Sequence, residues 1–269
     1  MSAAIQVCGL KKSYGGRAVL KGLDFHIRQG EIFALLGVNG AGKTTALECM
    51  EGLRSCDGGT VTVYGKIGIQ LQSASLPAHI KPMEAVKLFS KWSGAEPDGS
   101  VLAALGIREM ERKQYVQLST GQKRRLHLAL ALIGNPDIIF LDEPTAGLDP
   151  KGRDEILDQI AELHKVRGIT IILVSHSMED VAKYVERLIV VNHGKIAFDD
   201  TPKKVFAHYK ELEEMGLAAP QITYIMHALK EKGLPVDSSD TTVEEARADI
   251  LRALKEMNSP LLKGGVLND

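Results

Sequence analysis

A glycine-rich segment between an apolar run and a helical pattern constrains this chain more than any other feature. It reads Gly37-Val38-Asn39-Gly40-Ala41-Gly42-Lys43-Thr44-Thr45. Two glycines separated by four residues, followed by a lysine and a hydroxyl residue, have the spacing of a phosphate-binding loop. Glycine tolerates positive φ, so successive backbone N–H groups can approach phosphate oxygens closely. All of these residues except Val38 are therefore candidate contacts to a nucleotide.

The flanking sequence has the order that such a loop requires. Ile32-Phe33-Ala34-Leu35-Leu36 is a short apolar run that predicts a buried parallel strand. After the loop, the apolar residues are spaced for one face of a helix, at Ala46, Leu47, Met50 and Leu53. The helix adds its positive N-terminal end to the site. We expect Lys43 to reach the β- and γ-phosphates and the Thr44 hydroxyl to ligate Mg²⁺.

Composition is that of an ordinary globular chain, with 44% hydrophobic and 25% charged residues among 269. A formal net charge of −1 gives no basic footprint, so no nucleic-acid partner is expected. The odd number of cysteines and their spacing favour free thiols in a reducing compartment. We expect no signal peptide, and no apolar run reaches the ~18 residues needed to span a bilayer, so any membrane role is expected to need a partner.

Two acids follow the apolar run Ile138-Ile139-Phe140-Leu141, and they are the second candidate site. Charges at the end of a buried strand are unfavourable unless they are used, and parallel strands carry sites at their carboxyl ends. Asp142 suits the shell of Mg²⁺, and Glu143 suits a general base acting on the attacking water. The alternative is a charged strand end that faces solvent.

Other candidates are weaker by themselves. Tyr14 precedes the phosphate-binding loop in a β-rich region, where a base could stack on its ring or where it is a plain surface tyrosine. Gln72 ends an apolar segment and could ligate Mg²⁺ or orient a water, or be an ordinary strand-end amide. His176 follows a predicted strand, where it could sense the γ-phosphate or be structural. Ser119 begins a predicted helix, where it could contact an anion or simply cap the helix.

The overall prediction is an α/β phosphate-binding-loop NTPase with a β-rich lobe. Prolines and helical spacing predict an inserted helical subdomain at about 73–134. We predict that residues 1–208 form the nucleotide-binding domain and residues 209–269 a C-terminal helical extension. The extension has two amphipathic stripes, whose apolar faces need a surface on this chain or on a partner.

The set of motifs resembles that of the ATP-binding cassette (ABC) ATPases between Ile5 and about Lys204. The resemblance rests on the phosphate-binding loop, Gln72, Leu118-Ser119-Thr120-Gly121-Gln122, Ile138 to Glu143, Gly147-Leu148-Asp149 and His176. One departure is Thr120, which stands where the family signature has its first glycine. The resemblance implies that ATP is bound with Mg²⁺, with Tyr14 stacked on adenine and Gln72 linking the metal to a transporter subunit.

The family also implies how such a chain works with others. Two cassettes sandwich two ATP molecules, so Ser119, Gly121, Gln122 and Asp149 would serve the ATP and interface of a second ABC ATPase subunit. His176 would be the switch histidine. Hydrolysis would drive a transmembrane permease subunit from the cytoplasmic face of the membrane. The alternatives are an ABC protein acting on ribosomes or nucleic acid, and a regulatory subunit without hydrolysis.

Two subfamily resemblances divide the chain. Gln70 to Trp92 resembles ATPases of drug- or peptide-exporter systems. From Lys151 onward, and especially over Ser175 to Glu186 and Tyr209 to Glu231, the chain resembles energy-coupling factor (ECF) ATPases of vitamin and metal uptake. The two resemblances meet between Leu141 and Pro150, which suggests a recombined or engineered chain. The ECF resemblance implies a C-terminal extension used in dimer contact.

Overall fold

The computed structural model describes residues 2–70 and 75–257 and has a mixed α/β architecture. The strands are β1 (Ala3–Tyr14), β2 (Arg17–Arg28), β3 (Ile32–Leu36), β4 (Gly58–Val63), β5 (Ile67–Gln70), β6 (Ile138–Asp142), β7 (Thr170–Val174), β8 (Arg187–Asn192) and β9 (Lys195–Asp200). The helices are α1 (Lys43–Met50), α2 (Pro82–Ser93), α3 (Gly99–Ala104), α4 (Thr120–Ala131), α5 (Pro150–Arg167), α6 (Met178–Tyr184), α7 (Pro202–Ala207), α8 (Tyr209–Glu214), α9 (Gln221–Glu231) and α10 (Val243–Glu256).

The larger sheet has the order β5-β6-β7-β3-β8-β9 and is parallel except for β9. All five residues of β3 and of β7 are buried, which explains their unbroken apolar runs. The carboxyl ends of β3, β6 and β7 therefore meet at one edge of the sheet, where Asp142 pairs with Val174 in register. This edge carries the phosphate-binding loop, the acidic pair and the segment of His176.

The smaller sheet is antiparallel, in the order β2-β1-β4. It matches the predicted β-rich lobe. Tyr14 ends β1 and pairs with Arg17 at the start of β2. The lobe thus carries the tyrosine toward the edge of the larger sheet that holds the phosphate-binding loop.

The predicted helical insertion corresponds to α2, α3 and α4, which lie between β5 and β6 in the chain. The prediction for the helix after the phosphate-binding loop was wrong at its end. Helix α1 stops at Met50, and Gly52 follows with a φ of 73°. Leu53 therefore leaves the apolar face and is 61% exposed.

The C-terminal helices divide between two apolar clusters. Leu212, Leu217 and Ala219 pack into the large core beneath the main sheet. A separate small cluster lies between α9 and α10, with Met226, Val236, Ala246 and Ala253 at its centre. The division at residues 208 and 209 stays a prediction, and residues 258–269 lie outside the described part of the chain. Within residues 2–70 and 75–257, no helix combines the length and the apolar character needed to cross a bilayer.

Candidate nucleotide site

A cleft of about 640 Å³ opens where the two sheets meet. It brings together groups from the phosphate-binding loop, the acidic pair, the segment after β7 and the β-rich lobe. The lining residues are Tyr14, Arg17, Ala18, Val19, Lys21, Asn39, Gly40, Gly42, Lys43, Thr44, Thr45, Asp142, Glu143, Val174, His176 and His193. Candidates that are far apart in the sequence thus share one cavity.

The backbone of the phosphate-binding loop needs glycine at two close approaches. Gly37 has a φ of 154°, and a Cβ there would lie 2.3 Å from the carbonyl oxygen of Val191. Gly42 has a φ of 109°, and a Cβ there would lie 2.6 Å from Leu20 Cδ2. Since L side chains rarely adopt such conformations, the glycine spacing read from the sequence reflects a steric requirement.

The turn between β8 and β9 is hydrogen-bonded to the phosphate-binding loop. The Gly194 N–H donates a hydrogen bond to the Ala41 carbonyl at 3.1 Å, and the Lys21 N–H donates to the Gly194 carbonyl at 2.9 Å. These bonds connect β2, the turn and the phosphate-binding loop in one chain of backbone contacts.

Lys43 begins α1 and is only 7% exposed. Its Nζ donates to the carbonyl oxygens of Gly37 at 2.6 Å and Val38 at 3.1 Å. Burial lowers the pKa of Lys43, while the neighbouring carboxylates of Glu143 and Asp142 oppose that shift. The ammonium is therefore held against the loop within reach of the acidic pair.

Glu143 has a backbone conformation that sequence analysis did not foresee. Its φ is 50°, in the left-handed region, and its N–H donates to the Val174 carbonyl at 3.0 Å. The side chain is buried, and among the described residues no group hydrogen-bonds its Oε1. Burial and the nearby Asp142 raise the pKa of Glu143 to about 7. Such a carboxyl can accept a proton near neutral pH.

His176 stands beside this carboxyl, at the cleft end of β7. Its Nε2 lies 3.6 Å from Glu143 Oε1, and its side chain is 59% exposed. The distance is too long for a hydrogen bond but leaves the ring facing both the carboxyl and the cleft. Glu143 and His176, which the sequence proposed separately, thus lie together at one edge of the sheet.

Asp142 and Thr44 line the cleft with oxygen donors. Burial raises the pKa of Asp142, while His176 and Lys43 oppose that shift. Within the described residues no group of three or more His, Cys, Asp or Glu side chains could hold a metal by itself. This donor set fits Mg²⁺, which prefers oxygen and is commonly bound by one or two carboxylates together with substrate phosphates. Gln72, the third predicted ligand, lies outside the described residues.

The segment from Leu118 to Gln122, called the signature segment below, does not line this cleft. Ser119 Oγ accepts a hydrogen bond from the Gln122 N–H at 3.2 Å, and the Ser119 N–H donates to Gln122 Oε1 at 3.1 Å. This pair is a capping box at the start of α4. Asp149 in turn caps α5 by accepting from the Gly152 N–H at 2.9 Å. Gly121 lies in the first turn of α4, close to Leu148.

Sequence reasoning missed several residues of the site. Arg17 and Lys21 from β2 and His193 from the turn between β8 and β9 also line the cleft, and neither the strand pattern nor the turn indicated this. Glu51, which does not line the cleft but is close enough to interact with Asp142, was also missed: it is 5% exposed, and its pKa is raised to about 7 by burial and by Asp142. A glutamate directly after an apolar helical stripe was the only available hint.

The sequence of this chain is similar to those of known transporter proteins. The sequence matches the family model described as ABC transporter over residues 20–146. The energy-coupling factor transporter ATP-binding protein EcfA2 of Clostridium tetani is 37% identical over 254 residues, covering 86% of this chain and 88% of that protein. EcfA2 of Acetivibrio thermocellus is 37% identical over 264 residues, covering 89% of this chain and 93% of that protein.

A solved structure gives the same picture. The structure of cbiO1 from Clostridium perfringens, described as part of the ABC transporter complex cbiONQ, is 28% identical. It superposes with a TM-score of 0.67 over 86% of this chain and 100% of that chain. Alignments of this extent include most of the N-terminal half, so the findings give no support to the predicted exporter-like ancestry of that half.

Proposed function

We propose that this chain, which belongs to the ABC transporter family and is the ATP-hydrolysing subunit of a membrane transporter, drives a transporter of the energy-coupling factor type. One observation carries the assignment of type. The similarity to the EcfA2 protein of Clostridium tetani covers 86% of this chain and therefore reaches the C-terminal helices. The EcfA2 protein of Acetivibrio thermocellus, also 37% identical, covers 89% of this chain.

In the proposed reaction, the phosphate-binding loop and Lys43 hold the triphosphate of ATP, and Tyr14 stacks on adenine. Glu143 takes the proton of the attacking water. Its pKa of about 7 supports this role, because a base of that strength is deprotonated in a large fraction of molecules at neutral pH. His176, with Nε2 3.6 Å from Glu143 Oε1, is placed to contact the γ-phosphate and to orient the base.

Mg²⁺ would be held by Thr44 and Asp142, with Gln72 as the third proposed ligand. When bound, the ion supplies positive charge to the phosphate oxygens and offsets the charge that develops on them. The chain's own contribution is the buried carboxylate of Asp142, whose raised pKa shows that burial disfavours its charge. A cation in the cleft would offset that penalty.

Hydrolysis is proposed to need a second ABC ATPase subunit, either a copy of this chain or a related one. Ser119, Gly121, Gln122 and Asp149 would then contact ATP held by the partner or the interface itself. Their position away from the chain's own cleft supports this arrangement. Thr120 replaces the usual glycine, but the serine and the second glycine of the signature are retained.

We further propose that the chain acts at the cytoplasmic face of the membrane, bound to a transmembrane permease subunit. Residues 209–269 would be an extension beyond the nucleotide-binding domain of residues 1–208 and would contribute to subunit contact. Its attachment is polar as well as apolar, since Lys203 Nζ lies 2.6 Å from Glu245 Oε1 between α7 and α10.

The experiment is affinity purification of tagged Glu143→Gln protein from detergent-solubilised source membranes in the presence of ATP, followed by mass spectrometry. We expect an energy-coupling transmembrane subunit together with small substrate-binding membrane proteins. Recovery of a multi-helix exporter permease would reject the ECF type while keeping transport. Recovery of ribosomal or DNA-bound proteins alone would reject transport. The Lys43→Ala variant, purified in the same way, controls for nucleotide-independent capture.

A further inference from the structure

Two cations contact the ring of Tyr14, and the proposed reaction uses neither. The guanidinium carbon of Arg54 lies 5.3 Å from the centroid of the ring, and Lys12 Nζ lies 5.8 Å from it. Both distances fall within the range of about 6 Å in which a cation is attracted to an aromatic face. The ring itself is 41% exposed and lines the nucleotide cleft.

Each cation is fixed by its own carboxylate. Arg54 Nε donates to Glu48 Oε2 at 2.6 Å, and Lys12 Nζ donates to Asp57 Oδ1 at 2.7 Å. Asp57 also accepts from the Ser13 N–H at 2.7 Å, next to Tyr14 in the chain. The cations are therefore not free surface charges, and the ring rests on groups that are themselves held in place.

We propose that Arg54 is a positioning residue for the base of the nucleotide, acting through the ring of Tyr14. The inference rests on the proposed stacking of adenine on that ring. A tyrosine whose ring is already held loses less conformational freedom when a base stacks on it, so affinity for the base increases. Arg54 suits this role better than Lys12, because a planar guanidinium packs on an aromatic face whereas an ammonium is a point charge.

The position of Glu48 connects the contact between Arg54 and Tyr14 to the phosphate-binding loop. Glu48 lies in α1, the helix that begins at Lys43 of the phosphate-binding loop, and Arg54 follows the same helix. One helix thus connects the group that holds the phosphates to the group that supports the base-stacking ring. The ring of Tyr14 is thus supported from the far end of the phosphate-binding helix.

The test compares two ligands, ATP and inorganic triphosphate, whose dissociation constants are measured by calorimetry for each variant. Arg54→Gln is expected to raise the Kd for ATP about two- to fivefold and to leave the Kd for triphosphate unchanged. Arg54→Lys should lie between wild type and Arg54→Gln. Arg112→Gln, which removes an exposed arginine outside the cleft lining, is the matched control. Circular dichroism of each variant reports whether it folds.

A double-mutant cycle with Tyr14→Ala separates the possible outcomes. In that background Arg54→Gln should have no further effect on ATP affinity. Equal weakening of ATP and triphosphate, or an undiminished effect without the ring, would show that Arg54 acts only as a charge and would overturn the inference. If Tyr14→Ala weakens ATP binding and Arg54→Gln does not, the inference alone fails. If Tyr14→Ala leaves ATP affinity unchanged, the proposed adenine contact fails and the inference fails with it.

Discussion

The nucleotide cleft and the signature segment are both predicted to contact ATP, yet Glu143 in the cleft and Ser119 in the segment differ in their hydrogen bonding. In the cleft, Glu143 keeps a buried oxygen without a hydrogen-bond partner among the described residues, and its pKa is raised. In the signature segment, Ser119 and Gln122 satisfy each other in a capping box. The buried oxygen of Glu143 is thus free to bond a ligand in this chain's own cleft, whereas the capping pair must give up a hydrogen bond of its own to contact one.

The strongest test of the cleft is Glu143→Gln, which keeps the shape of the side chain and removes the base. We expect kcat for ATP hydrolysis to fall about 10²–10⁴-fold, with little change in ATP affinity by calorimetry. In the wild type, kcat/KM should fall as pH drops through about 7, because the carboxyl becomes protonated there. Glu162→Gln on α5 is the control. Loss of ATP binding in Glu143→Gln would contradict the assigned role.

The next largest effect is expected for Lys43→Ala. Hydrogen bonds to charged groups contribute about 1.5–3 kcal/mol, so the Kd for ATP should rise about 10- to 150-fold. The matched control is Lys165→Ala, which removes an exposed lysine outside the cleft lining. An unchanged Kd would mean that the hydrogen bonds of Lys43 to Gly37 and Val38 describe its whole role.

For the signature segment, two substitutions of Ser119 separate capping from function. Ser119→Ala removes the cap and should lower the free energy of unfolding by about 1 kcal/mol, whereas Ser119→Asp retains a capping oxygen. Both should reduce ATP turnover at least about tenfold, because a lost contact to a charged group is worth ~1.5–3 kcal/mol. In Ser119→Asp the contact is lost because the added carboxylate repels phosphate. Neither should change ATP affinity of the isolated subunit. Wild-type turnover in Ser119→Asp would show that the serine is only a cap.

The last prediction concerns the free energy of unfolding and its dependence on the buried carboxyl of Glu51. The pKa of Glu51 is raised to about 7 in the folded chain from its ordinary value of 4.5, so the folded state holds this proton more tightly. Stability is therefore lost as pH rises between these two values. Glu51→Gln should raise the free energy of unfolding by about 1–3 kcal/mol at pH 8, and this gain should shrink toward pH 5. Denaturant titration at both pH values measures it, with Glu162→Gln as control.

Local features of the fold were predictable because they depend on short-range chemistry. The apolar run and the glycine spacing predicted the strand and loop at residues 32–42 and the start of the helix that follows, and the residue type of Ser119 indicated the helix cap that the structure shows. The meeting of Asp142 with the phosphate-binding loop also followed, since parallel strands end at one edge of a sheet.

Other features depend on tertiary packing and could not be read from the chain. The raised pKa of Glu143 arises from its burial and from Asp142, and its left-handed backbone donates to Val174 on a neighbouring strand. Arg54 reaches Tyr14 only because β1 and the end of α1 are brought together, which no spacing indicates. The exposure of Leu53 shows the same limit, because a helical stripe does not reveal where the helix stops.

The backbone hydrogen bonds between the phosphate-binding loop and the β8–β9 turn determine how much of the chain must become ordered when a nucleotide binds. Since Ala41 is bonded to the β8–β9 turn and that turn is bonded to Lys21, the chain's own backbone hydrogen bonds hold the loop in shape. A nucleotide then has little chain to order, so its capture should be closer to docking than to folding. Calorimetry would record this as a small heat-capacity change, since coupled folding is what makes that quantity large.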